Sequence, residues 1–445
     1  MATNLKVLIA AAEVAPLAKV GGLGDVIGAL PKALVKLNLD ARVIMPFYRA
    51  IDKNKYKIKL IKSNIKCNDQ LINLWQTDLP DSIVPVYLIE HNFFKNEGIY
   101  STALADGPND IEKFAFFSLA ILESAKIINF KPGVIHLNDW HTAAVAKLLK
   151  SDPFFRRTKT LLTIHNLANQ GIIGAQNYLA EGISNADLIN TVSPTYAKEI
   201  LTKEHGAGLE KFLIKRKKQL SGILNGIDTD FFNPATDKLI KYNYTAKTLN
   251  KKSANKTELQ RLLGLPKDKN TALAGLVTRF VGQKGIKLIT EKFSKLNCQF
   301  IFLGTGEKKY EDALSALAKK FPGQFGVQIK FDEKLAHQIY AASDIFLVPS
   351  RFEPCGLTQL IAMRYGSVPI VRATGGLVDT VSDQTGFNFK KLDSAEFYKT
   401  LAQALEIFYN KPADWRKLQT SGMQQDFSWN KSALEYRQLY KKPLN

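Results

Sequence analysis

Lys6-Val7-Leu8-Ile9-Ala10, then Gly21-Gly22-Leu23-Gly24-Asp25, then Ala41-Arg42-Val43-Ile44-Met45-Pro46 is the stretch whose pattern sets the architecture. The first run is apolar from Val7 onward, which suits a strand buried on both faces. The glycine-rich segment reads as a turn. Val26, Leu30, Leu34 and Leu37 follow at spacings of three and four, the mark of a helix with one apolar face. The last run closes the unit as a second strand. Comparable pieces recur: Val134-Ile135-His136 precedes Asp139-Trp140-His141 and a helix over Ala143 to Leu149, and Leu161 to His165 and Leu188 to Val192 read as further strands. In the second half, Ala272 to Val277, Phe300 to Leu303, Ile345 to Val348 and Val368 to Val371 each lead to a Gly- or Pro-marked loop and then a helix. Alternation of this kind means an α/β protein with parallel sheets and right-handed crossovers.

The segment from Leu224 to Asn255 is polar, rich in Asn, Lys and Thr, and lacks a long period, so it marks the boundary. The reading is two Rossmann-like, doubly wound domains, 1–224 and 225–427, facing across a cleft with ligands at the carboxyl ends of their strands. The last stretch, Ser428 to Lys441, carries a helical stripe of Trp429, Ala433, Tyr436 and Leu439.

A chain of 445 residues exceeds what one compact core holds and suits two domains. No segment approaches the roughly 20 uninterrupted apolar residues of a membrane helix. Leu5 to Val20 is apolar enough to suggest a leader peptide, but Glu13 interrupts it and Lys19 with the glycine turn follows at once. An opening strand running into a loop accounts for it, and a cytoplasmic protein is expected. The three cysteines, Cys67, Cys298 and Cys355, have neither metal-ligand nor redox spacing, which fits a reducing compartment. The formal charge of +20 raises nucleic-acid or membrane-surface binding as alternatives. Its lysines are spread along the whole chain, with no zinc-finger or RNA-binding signature, so a solvated surface that helps attract a phosphorylated ligand is expected instead.

Four loops carry candidate chemistry. Lys19-Val20-Gly21-Gly22-Leu23-Gly24-Asp25 offers close backbone approach, amides opening a helix and a point charge suited to phosphate. It also describes an ordinary tight turn. Arg279-Phe280-Val281-Gly282-Gln283-Lys284-Gly285 sets two cations five residues apart, able to clamp a diphosphate or simply to be exposed. Ser350-Arg351-Phe352-Glu353-Pro354-Cys355-Gly356-Leu357-Thr358-Gln359 puts a carboxylate and three amides before a helix, suited to sugar hydroxyls or to helix capping alone. Gly375-Gly376-Leu377-Val378-Asp379-Thr380 is another glycine-opened helix start. His136, Asp139, His141 and His165 sit at or just past strand ends, at a spacing that matches no zinc pattern, and no metal is expected.

In this order, and together with Thr163-Ile164-His165-Asn166-Leu167, Leu224-Asn225-Gly226-Ile227-Asp228, Phe232-Asn233-Pro234-Ala235-Thr236-Asp237 and Thr374-Gly375-Gly376-Leu377, these segments resemble the bacterial glycogen synthase and plant starch synthase family. Its members are retaining glucosyltransferases of the two-domain GT-B fold, and the match runs over essentially the whole chain. The resemblance implies ADP-glucose as donor, an α-glucan as acceptor, no cofactor and no metal. It implies that Lys19, Arg279 and Lys284 hold the donor diphosphate with the amides around Gly21 and Gly22, and that Asp25, His165, Asn225 and Glu353 surround the transferred glucose. The amides of Cys355, Gly356 and Leu357 would bind its outer hydroxyls, Thr358 would reach a phosphate and Phe331 would stack on adenine. Asp139, Trp140 and His141 would lie towards the acceptor or the hinge side of the cleft, and Asn166 on the acceptor side. The final helix would cross back to complete the first domain, over 428–445.

Some positions depart from the family pattern. Ile361 stands where many relatives of the wider fold have a second glutamate, which the synthases commonly lack too. Asn138 replaces the usual His before Asp-Trp-His, Asn169 replaces an aromatic before Gln170-Gly171, and Phe331 replaces a Tyr. The stretch Asn109 to Phe114 has Lys113 where Arg is usual. The rival readings are a retaining GT-B transferase with a UDP-sugar or another acceptor, and a non-catalytic glucan-binding relative. Loss of Lys19, Arg279, Lys284 or Glu353 would favour the latter, and all four are present. Random duplex DNA is expected to show no mobility shift with this protein at physiological ionic strength; a salt-sensitive shift would reinstate the nucleic-acid reading.

Overall fold

The computed structural model describes residues 4–95, 98–100 and 110–444. The chain divides into two compact units, Met1–Gly226 with Ser428–Asn445, and Ile227–Phe427.

The first unit is built on β1 (Lys6–Ala10), β2 (Asp40–Pro46), β3 (Lys59–Cys67), β4 (Gln70–Asp78), β5 (Pro85–Glu90), β6 (Val134–Asn138) and β7 (Lys159–Ile164). A small hairpin of β8 (Ile172–Ile173) and β9 (Gln176–Asn177) stands apart, and β10 (Leu188–Thr191) and β11 (Leu220–Gly222) complete the main sheet. Its order among the described residues is β11-β10-β7-β6-β1-β2-β5-β4-β3. Neighbours from β11 to β5 are parallel, whereas β4 runs antiparallel to both β5 and β3. The chain leaves β1 towards β2 and later returns to its other flank with β6. Loops leaving neighbouring strands in opposite directions open a crevice at their carboxyl ends. At this point lie the segment after Ala10, which holds the glycine loop, and the segment after Asn138.

The second unit has β12 (Ala272–Val277), β13 (Cys298–Gly304), β14 (Phe325–Ile329), β15 (Ile345–Val348), β16 (Val368–Arg372) and β17 (Phe387–Phe389), all parallel, in the order β14-β13-β12-β15-β16-β17. Here the order reverses at β12. Its loop carries Arg279 and Lys284, and the loop of β15, the neighbour on the reversing side, carries Glu353.

Several elements differ from the pattern-based expectation. The first helix begins at Gly22, so Asp25 lies in its first turn rather than in a loop. The helix expected over Ala143 to Leu149 is two four-residue pieces, Trp140–Ala143 and Val145–Leu148. No α-helix links β12 to β13; three 3-10 segments do so, Gly282–Lys284, Ile286–Leu288 and Glu291–Lys295. Gly285, at φ 70°, breaks the helical path, and a Cβ there would lie 1.9 Å from the Pro349 carbonyl oxygen. The polar stretch ending at Asn255 contains the start of a helix, Lys252–Leu262. Lys252 within it is buried and bonds the carbonyls of Tyr340, Ala341 and Tyr365 and the Ser367 hydroxyl at 2.9–3.0 Å. It thereby satisfies carbonyls that end two helices.

The terminal helix Trp429–Lys441 packs its stripe of Trp429, Ala433, Tyr436, Leu439 and Tyr440 into the first unit's core. Tyr436 accepts a bond from Asn190 at 3.1 Å, and the Tyr440 hydroxyl meets His136 Nδ1 at 2.9 Å. Tyr436→Ala is expected to lower the unfolding free energy by about 3–5 kcal/mol, and Tyr436→Phe by about 1 kcal/mol, read from denaturant midpoints.

Candidate active site

In the first unit, Glu13 organises the loop after β1. It is buried, its Oε2 accepts from the amides of Val20 at 2.7 Å and Gly21 at 2.8 Å, and its Oε1 accepts from the Tyr100 hydroxyl at 2.5 Å. The Gly21 amide, expected to face a phosphate, is therefore committed to Glu13, and the exposed Gly22 opens the helix. Lys19 Nζ lies 2.6 Å from Asp25 Oδ1, each side chain 34% exposed. The expected phosphate cation and the expected sugar-binding carboxylate thus meet each other. Sequence reading took Glu13 only as an interruption in an apolar run; an acidic residue so placed beside glycines was the signal that it caps their amides.

Asp139 follows β6 with φ 56°, buried, and its Oδ1 accepts from the amides of His165 at 2.7 Å and Asn166 at 3.4 Å. Burial pushes its pKa up to about 7 against the pull of those two amides. His165 comes just after β7, not within it. Its ring is half-buried, its Nε2 lies 2.9 Å from Asn138 Oδ1, and burial pulls its pKa down to about 3, so the ring is neutral. Trp140 and His141, expected towards the acceptor, are buried, and a Cβ on Gly171 would run into the Trp140 ring. The Asn166 carboxamide accepts from Ala168 N at 3.1 Å. Asn225 is buried with Oδ1 unmet among the described residues, an orphaned acceptor that suits a polar ligand. Asn109 lies outside the described residues. Lys113 is buried, bonded to the Ile99 carbonyl at 2.6 Å and to Asp110 at 2.8 Å, and so braces the interior.

In the second unit, Lys284 Nζ lies 2.6 Å from Glu353 Oε2, which also accepts from Ser350 Oγ at 2.8 Å. The two loops are laced together, since Arg351 N donates to the Gln283 carbonyl at 2.7 Å and Gln283 Nε2 to that of Phe352 at 3.3 Å. Arg279 is exposed, and its guanidinium has no partner among the described residues. Cys355 is buried, and Gln359 Nε2 bonds the carbonyls of Cys355 at 3.2 Å and Gly356 at 2.9 Å, which leaves the Cys355–Leu357 backbone held just before the helix opened by Thr358. Below this loop a Cβ on Gly375 would lie 2.0 Å from the Glu353 carbonyl oxygen, and one on Gly376 2.4 Å from that of Cys355. Arg372 donates to the carbonyls of Ser350, at 2.8 Å, and of Arg351. Phe331, 86% exposed, follows the edge strand β14.

Two α/β units on largely parallel sheets, one with two cations and a carboxylate at its strand-order reversal, fit the class to which family and structural similarity assign the chain: a glycosyltransferase of the GT-B fold. A "Starch synthase catalytic domain" profile matches residues 6–215, and a "Glycosyl transferases group 1" profile matches 255–419. The chain is 43% identical to a glycogen synthase of Thermotoga maritima, with 99% of each chain covered, and 41% identical to one of Syntrophotalea carbinolica, again over 99% of each. Among solved structures it is similar to the catalytic domain of starch synthase IV from Arabidopsis thaliana, determined with ADP and acarbose, at a TM-score of 0.91 and 35% identity over 99% of each chain. A sucrose-phosphate synthase from Thermosynechococcus elongatus shares the fold, at a TM-score of 0.64 and 18% identity. The chain belongs to the glycogen and starch synthase family.

The raised Asp139 pKa has a thermodynamic consequence. Between about pH 4 and pH 7 the unfolded chain gives up this proton while the folded chain keeps it, so the folded state loses stability as pH rises through that window. Asp139→Asn removes the titration. Its unfolding free energy relative to the parent is expected to increase steadily from pH 4 to 7 and then level off, as read from denaturant melts at each pH.

Proposed function

We propose that the chain transfers glucose, with retention, from ADP-glucose to the non-reducing 4-hydroxyl end of an α-1,4-glucan and releases ADP. The observation that carries this reading is the Lys284–Glu353 pair in the second unit, held by backbone lacing and by a glycine floor, with Arg279 exposed on the same loop. Two fixed cations suit a diphosphate leaving group, and they stabilise negative charge that grows as the C1–O bond lengthens. That bond's electron pair leaves with ADP. The acceptor oxygen forms the new bond on the face the diphosphate vacates, and its proton passes to the departing phosphate oxygen, so neither a separate base nor a metal is required.

Lys19 joins Arg279 and Lys284 at the diphosphate with the Gly22 amide, while Gly21 acts through its place in the Glu13-held loop. Asp25, His165, Asn225 and Glu353 attend the glucose, the Cys355–Leu357 amides bind its outer hydroxyls, Thr358 reaches phosphate and Phe331 stacks on adenine. Asp139, Trp140, His141 and Asn166 support the acceptor side from behind. No described helix is long and apolar enough to cross a membrane, and the three cysteines are free and buried, which supports a cytoplasmic setting.

Primer-dependent ADP release, measured in parallel on ADP-glucose and UDP-glucose with glycogen, tests the reading. ADP release is expected, and silence with both donors from folded protein would overturn it. Glu353→Ala and Lys284→Ala should each lose about 10²–10³-fold in turnover with circular dichroism unchanged. Near-full turnover would remove that residue from the mechanism.

A further inference from the structure

Asn138, the last residue of β6, is completely buried, and its amide orientation is dictated by its neighbours. Nδ2 donates to the carbonyl of Ala10 at 3.0 Å and to that of His136 at 3.4 Å. Carbonyl oxygens only accept, so turning the amide over would set its oxygen against two of them. Oδ1 is therefore fixed towards His165 Nε2, 2.9 Å away. An amide oxygen also only accepts, so Nε2 must carry the proton. In a neutral ring Nδ1 then holds a lone pair and can only accept.

The neighbours leave this arrangement undisturbed. Asp139 is engaged with the His165 backbone amide, not its ring. His136 spends its nitrogens on Thr163 Oγ1 at 2.7 Å and the Tyr440 hydroxyl, and His141 is buried and neutral. A histidine at position 138, usual in the family, can give or take a proton and would leave the tautomer of His165 open.

We propose that Asn138 is a positioning residue that locks His165 as its Nε2-protonated tautomer, so that Nδ1 receives a hydrogen bond from the sugar 6-hydroxyl and cannot give one. The proposal rests on the reading above that His165 attends the transferred glucose and extends that reading to the 6-hydroxyl; the two are separable by experiment. Nitrogen-15 NMR of the full chain needs no turnover: His165 is expected to show a pyridine-like Nδ1 and a pyrrole-like, protonated Nε2. A protonated Nδ1, or averaged signals, would overturn the lock. Kinetics address its use. ADP-glucose with 6-deoxy and 6-deoxy-6-fluoro sugars should be equally poor, by about tenfold in kcat/KM, because fluorine cannot donate. A fluoro donor handled as well as ADP-glucose would overturn the acceptor role.

Asn138→Leu should lose about tenfold on ADP-glucose and little on the 6-deoxy donor. Equal losses on both would mean a merely structural residue. Asn138→His, which keeps a polar ring at that site, should regain activity on ADP-glucose while its fluoro and deoxy donors diverge. If they stay equal, the tautomer is not set by Asn138. Absence of turnover on ADP-glucose by the parent would instead sink the functional reading and leave the NMR result to stand or fall alone.

Discussion

A parallel sheet hides both faces under its crossovers, so the places where polar chemistry can reach solvent are the carboxyl ends of strands, above all where the strand order reverses. In the first unit that reversal falls between β1 and β6, and in the second between β12 and β15. Most of the candidate residues hang from these strands or their neighbours; Asn225 after β11 and Phe331 after the edge strand β14 are the exceptions. Glu13 and the glycine loop follow β1, Asn138 and Asp139 end β6, and His165 follows β7. Lys284 follows β12 and Glu353 follows β15. The arrangement is a consequence of connectivity before it is a consequence of any side chain.

The central strands were legible because burial on both faces writes them as largely apolar runs. The periphery was not. Lys59–Cys67 alternates poorly, is mostly exposed and, among the described residues, pairs only with β4, so no periodicity announces it. The first two 3-10 segments after β12 are one turn each and the third has five residues, too short for a helical period to show. At the site, the positions of the loops could be read, because glycines and charged residues past an apolar strand are a local pattern. The partnerships could not. That Lys19 meets Asp25, that Glu13 takes the Gly21 amide and that Asn138 faces His165 depend on residues brought together by the sheet from up to 27 positions apart.

Charge in the second unit shows how much of a motif is architecture. Asp237, at the end of the Phe232 to Asp237 stretch, binds His337 Nδ1 at 2.7 Å and the Tyr365 hydroxyl at 2.6 Å. Burial raises its pKa, and these bonds more than reverse that, leaving it below the usual value. Lys256 meets Asp344 at 2.6 Å, nearly buried. Lys252 and Lys256 thus belong to the interior, so the strongly basic composition is not wholly a surface property. Such buried, fully partnered charges specify one packing arrangement, since removing either member leaves the other stranded.

The floor of Gly375 and Gly376 beneath Glu353 and Cys355 bears on how the loop from Ser350 to Gln359 can be redesigned. Its contact is backbone against backbone, with no side chain to trade for another. A library that varies Cys355, Leu357 and Thr358 changes the groups that line the loop while the loop keeps its height. A library that varies the two glycines lifts the loop itself, and with it the carboxylate of Glu353, whatever is chosen elsewhere. Variation is therefore to be sought among the lining residues, over a foundation that sequence diversity must leave alone.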